Sequence, residues 1–133
     1  MEELSLISDE IFDIGDELKD ETVDLAEVTE LAFYSCLKES RTQILVQARP
    51  IEAGVIFTYS ILLRKLEQLD SNELLILLAN NWRLKEVFLW TQEINDEWYL
   101  LGSIKRDFES YLPGQIMHQL DKVMIEISAI ELK

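Results

Sequence analysis

The chain has one histidine, His118, and one cysteine, Cys36, and these two residues bound the covalent and acid–base chemistry open to it. A Ser-His-Asp or Cys-His arrangement would have to run through His118. That residue falls in the polar first turns of a C-terminal helical pattern, close to Asp121 and Lys122, which is the setting of a surface or boundary histidine. Cys36 lies on the apolar stripe of an expected helix, with no Lys, Arg or His in the preceding turn to depress its pKa. It reads as a small core residue. A lone cysteine also forbids an intramolecular disulfide and a thiolate metal cluster. Asp9, Asp13, Asp16 and Asp20 are spaced by four, three and four residues, so they share one helical face. That is the pattern of a solvated face; calcium loops alternate their ligands along an irregular, glycine-turned segment. Gly15, Gly54, Gly102 and Gly114 are isolated, so no phosphate-cradling loop is present. The expectation is no catalytic residue, no metal site and no cofactor.

The elements that would carry any other function follow from apolar spacing. Within residues 1–20, Leu4, Ile7, Ile11, Ile14 and Leu18 recur at three and four, the mark of an amphipathic helix. Leu25, Val28, Ala32 and Cys36 form a second stripe with Leu31 beside it, which predicts a helix over 25–37. Thr42–Ala48 and Val55–Leu62 are rich in branched and aromatic residues and predict an antiparallel hairpin, with 49–54 as its loop. Asp70 and Glu73 have the spacing of a capping box and open a short apolar helix, Leu74–Ala79, which ends near Asn80-Asn81. A second hairpin, Val87–Gln92 and Trp98–Ile104, surrounds the polar turn Asn95-Asp96-Glu97. Both period-two sets of its first strand contain apolar residues, so both sheet faces are expected to be covered. Pro113 suits the first position of a last helix, whose stripe is Ile116, Leu120, Val123, Met124, Ile127 and Ile130. The fold class expected is α+β: an antiparallel sheet of two hairpins with an N-terminal helix, a short middle helix and a long amphipathic C-terminal helix.

The chain's 133 residues, 48% of them apolar, suit one domain with a real core. The division expected is an acidic N-terminal segment, 1–24, ahead of a single domain, 25–133. The start Met1-Glu2-Glu3 is the reverse of a basic signal-peptide start, and no apolar run approaches the ~20 residues that span a bilayer, so a cytoplasmic protein without membrane contact is expected.

Charge narrows the partners. There are 26 acids against 12 bases, a net charge of −14. Residues 1–30 hold twelve of the acids and one base, Lys19, a balance of −11 that leaves −3 for the rest. Direct nucleic-acid binding is disfavoured, because phosphate contacts need clustered Lys and Arg. A protein client that is basic or aggregation-prone is favoured. Trp82, Trp90 and Trp98 suit a core or an interface better than base stacking.

The run Leu74-Leu75-Ile76-Leu77-Leu78-Ala79-Asn80, the paired strands from Val87 to Leu101 and the closing helix Ile116–Ile130 together resemble the small acidic chaperones of bacterial type III secretion and the related YbjN-like fold. The likeness covers mainly residues 70–132. The chain departs from it in the acidic extension 1–24, and in showing two strands over 41–69 where the family typically has three. The resemblance implies a non-catalytic homodimer that holds an extended client segment on apolar patches. The partner-binding residues expected are Ile7, Ile11, Ile14 and Leu18 on the N-terminal segment and Phe88, Trp90 and Trp98 on the second hairpin. Two other classes compete with a chaperone-like assembly factor or adaptor. One is an acidic nucleic-acid mimic that regulates a DNA- or RNA-binding protein; the other is an enzyme with a carboxylate site.

Overall fold

The computed structural model describes residues 22, 27–28, 32–52, 54–107 and 116–129. Its elements are β1 (Glu27–Val28), β2 (Ala32–Cys36), β3 (Gln43–Ile51), β4 (Gly54–Lys65), α1 (Ser71–Ala79), β5 (Phe88–Ile94), β6 (Glu97–Asp107) and α2 (Ile116–Ala129). Five full strands and the two-residue β1 make one antiparallel sheet in the order β1-β2-β3-β4-β6-β5. The two expected hairpins, β3–β4 and β5–β6, are present and are joined edge to edge through the β4–β6 ladder.

The helix expected over 25–37 is not formed in the described residues. Ala32–Cys36 is a strand paired with β3, and Thr22 bridges Leu37. Phe33, Ser35 and Leu37 are buried while Ala32, Tyr34 and Cys36 are half-buried, a period of two. Phe, Tyr, Ser and Cys are all indifferent helix formers, so the ladder supplied by β3 outweighs the apolar stripe that suggested a helix. Cys36 is therefore a half-buried strand residue instead of a member of a helical core stripe. The N-terminal amphipathic helix of 1–20 and the Pro113 start lie outside the described residues.

The first hairpin is longer than expected. Residues 49–51 continue β3, with Pro50 opposite Val55 and Ile51 opposite Gly54. Pro50 lies beyond Gln47, the last β3 residue that β2 pairs, so its missing N–H breaks no ladder on that side. Gly54, at φ 144°, restarts the chain in a conformation that side chains rarely adopt. At the second hairpin Asn95 and Asp96 both have positive φ and Ile94 pairs Glu97, a two-residue turn whose twist suits the strands. Helix α1 begins as its capping box requires: Glu73 N–H donates to Asp70 Oδ1 at 2.8 Å, and Asp70 N–H donates to Glu73 Oε1 at 3.4 Å.

One face of the sheet carries the core. Ile44, Val46, Phe57, Tyr59, Ile61, Leu89, Leu100 and Ile104 meet Ile116, Leu120, Val123 and Ile127 of α2, with Leu77 of α1 in the same cluster. Gly102 lets α2 approach, since a Cβ there would lie 2.9 Å from Ile127 Cδ1. The opposite face has its own smaller cluster, Leu45, Leu62, Tyr99 and Leu101, flanked by Ala32, Tyr34, Trp90 and Ile94. Among the described residues no helix lies over it: α2 contacts β4 and β6 from the core side. Its apolar residues pack on one another instead.

Candidate functional site

The sheet face opposite α2 is curled. Ala32, Tyr34, Leu45 and Gln47 of β2–β3 border the same hollow as Gln92 and Ile94 of β5, although β4 and β6 lie between those strand pairs in the sheet. Beside this hollow, of about 180 Å³, is a second cleft of about 290 Å³, and Gln47 and Gln92 border both. The larger cleft has Ile56 and Thr58 of β4, Gln47 and Arg49 of β3, Phe88, Trp90 and Gln92 of β5, and Lys105 of β6 around it.

Its β5 wall is held from both sides. The indole Nε1 of Trp90 donates to Ser103 Oγ at 2.6 Å, and Ser103 Oγ shares a second bond of 2.6 Å with Ser60 Oγ; both serines are fully buried. The Phe88 and Trp90 rings lie 6.0 Å apart at 44°, and Lys105 Nζ stands 5.2 Å from the Phe88 centroid, within cation–π range. Strand β5 is the sheet edge, and Asn81 covers it by bonding both the N–H and the C=O of Leu89. The Glu126 carboxylate accepts from the backbone N–H groups of Lys85, Glu86 and Val87 at 2.8, 3.4 and 3.3 Å, which ties the entry of β5 to α2.

The charges differ between the cleft and its surroundings. Lys65 Nζ pairs with Glu97 at 2.9 Å, and Arg106 and Lys122 pair with Glu86 at 3.2 and 3.6 Å. The Lys65 ammonium, with the Tyr99 hydroxyl donating beside it, holds the Glu97 carboxyl below its ordinary pKa. Arg106 and Lys122 do the same for Glu86. Burial, followed by its bond to Glu97, pushes the Tyr99 phenol up. Arg49 and Lys105 have no ion pair to a described residue, and no described Asp or Glu lines the larger cleft, with Asp107 standing opposite Ile56 at its end. The terminal oxygen of Gln92 is buried there without a hydrogen-bond partner among the described residues.

A second surface lies on the other side of the sheet. Helix α1 turns Leu74, Leu77 and Leu78 into the core, leaving Leu75 and Ile76 65% and 67% exposed. Trp82, just beyond the helix, is 82% exposed.

Of the expected partner-binding residues, Phe88 and Trp90 come together in the cleft. Trp98 does not join them: it is adjacent to Tyr99 and so points to the opposite sheet face, 51% exposed. Ile7, Ile11, Ile14 and Leu18 lie outside the described residues. His118 is exposed on α2, and no group of three metal-ligating side chains occurs among the described residues. No described helix is long and apolar enough to cross a membrane. Arg49, Lys105 and Gln92 went unrecognised because they come from three different strands, and only the β3-β4-β6-β5 order brings them to one place. Comparison with family models, with curated proteins and with solved structures finds no match.

Proposed function

We propose that this protein is a non-catalytic protein-binding module, a chaperone-like assembly factor or adaptor that pairs as a homodimer and holds a segment of a client protein. The observation that carries the reading is α1. Its six consecutive apolar residues, Leu74–Ala79, exceed what one amphipathic face needs, and the fold takes up only Leu74, Leu77 and Leu78. A helix apolar all round is normally enclosed on all sides. Burying each exposed Leu or Ile side chain contributes about 1.5–3 kcal/mol, so Leu75, Ile76 and Trp82 supply a strong drive toward a partner. A second copy presenting the same surface would satisfy both at once.

Element order lends further support. The described strands, short helix, hairpin and closing helix follow the part of the type III secretion chaperone and YbjN-like order that comes after its N-terminal helix, which lies outside the described residues. The strand missing from 41–69 has a counterpart upstream, in β2. The client need not be basic: the described residues carry little of the acid excess, which is concentrated in 1–30. Sedimentation equilibrium tests the pairing. The wild type is expected to be a dimer, and a Leu75→Glu, Ile76→Glu double variant a folded monomer. A monomeric wild type that also retains no protein when purified from its host would overturn the reading.

A further inference from the structure

We propose that the larger cleft on the sheet face opposite α2 binds a small amphipathic carboxylate, with its charge on Arg49 and Lys105 and its apolar body along Ile56, Phe88 and Trp90. The cleft is on the opposite side of the sheet from α1, so the inference does not depend on the pairing of that helix.

Three observations lead to this ligand. First, the chain has a net charge of −14, and such a surface repels anions in general. Among the described residues Lys65, Arg106 and Lys122 pair with a glutamate, away from the cleft. Arg49 and Lys105 have no ion pair to a described residue, and they border the cleft together, which no described carboxylate lines. The cleft thus brings two cations to one apolar wall, with Asp107 opposite Ile56 at its end, and guanidinium and ammonium groups together favour a carboxylate. Second, the Gln92 amide oxygen is buried and lacks a donor among the described residues. Such an acceptor costs stability until a hydroxyl or N–H reaches it, so the ligand is expected to bear a donor on its body. Third, the aromatic wall is formed in advance. Ser103 fixes the Trp90 indole and Phe88 lies against it, so binding need not order these rings.

The size selects among acids. A cleft of about 290 Å³ is at the small end of ligand sites and suits one aromatic ring or a short alkyl chain with its carboxylate. It is too small to seat a folded partner.

The test uses the full chain carrying Trp82→Phe and Trp98→Phe, which leaves Trp90 as the only indole. Titration with 4-(4-hydroxyphenyl)butyrate, whose phenol supplies that donor, is expected to change Trp90 fluorescence saturably, and 4-(4-hydroxyphenyl)butanamide, with the same body and no charge, to bind about tenfold or more weakly. An Arg49→Gln, Lys105→Gln double variant with an unchanged unfolding midpoint should lose a similar factor. Ile56→Phe, which keeps both cations and narrows the cleft without adding a second indole, should weaken binding by a similar factor. The proposal is overturned if the acid does not saturate, if acid and amide bind alike, or if the charge-removed variant keeps its affinity. It is equally overturned if a peptide with adjacent Phe and Asp saturates Trp90 while the free acid does not, because the site would then belong to a protein segment.

Discussion

Replacing Ser103 by alanine removes the centre of a three-residue chain of hydrogen bonds. Its Oγ accepts from Trp90 Nε1 and shares a bond with Ser60 Oγ, each at 2.6 Å. Ser60 is fully buried, so no water can replace the lost partner, and an orphaned buried hydroxyl costs about 1–3 kcal/mol. Trp90 is only half-buried, so its N–H can turn to solvent and the loss there is near the ordinary net value of about 1 kcal/mol. The expected destabilisation is therefore about 2–4 kcal/mol. With unfolding entropy of about 2.1 cal/mol/K per residue, a 133-residue chain changes its midpoint by about 3.6 °C per kcal/mol. Ser103→Ala should thus lower the midpoint by about 7–14 °C in a thermal scan. The decisive measurement is the double variant with Ser60→Ala. Because most of the cost comes from stranding Ser60, removing that hydroxyl as well should leave the protein no less stable than Ser103→Ala alone. Additive losses would refute this account, since they would mean that the two hydroxyls act independently.

The remaining expectations concern the packing and charges around the same sheet. Gly102→Ala places a methyl 2.9 Å from Ile127 Cδ1 and 3.0 Å from its Cγ1, so it should cost about 1–3 kcal/mol in denaturant unfolding, and Ile127→Val should recover part of that. Glu126→Ala leaves three backbone N–H groups without their acceptor; Val87 is the buried one, and a loss of about 1–2 kcal/mol is expected, with faster amide exchange at Val87 and none at Leu100. Glu97 has a folded pKa below its ordinary value, so its stabilising effect is whole above the unfolded pKa and fades as pH falls through the folded one. Its carboxyl, followed by NMR, should titrate at higher pH in Lys65→Met than in the wild type; an unmoved titration would show that the Lys65 contact is not what lowers it.

The local elements were legible wherever the signal was short-range. The capping box at Asp70 and Glu73, the Asn95-Asp96 turn and the stripe of Ile116, Leu120, Val123 and Ile127 all follow from residues within a few positions of one another. Phe88 and Trp90 could likewise be singled out as aromatic residues of one strand face.

What tertiary structure alone decided is of two kinds. Ala32–Cys36 has an apolar stripe that fits a helix and a chain of residues that fits a strand, and only pairing with β3 selects the strand. The cleft is the other kind. Arg49, Lys105 and Gln92 lie as far as 56 positions apart, and their meeting depends on β6 inserting between β4 and β5 and on the sheet curling toward the side opposite α2. By itself the sequence determined that this is an acidic α+β chain with one histidine and one cysteine, because composition and short apolar periods need no partner to be read. That Arg49 and Lys105 border one cleft was set by strand order, a long-range property that no local window contains.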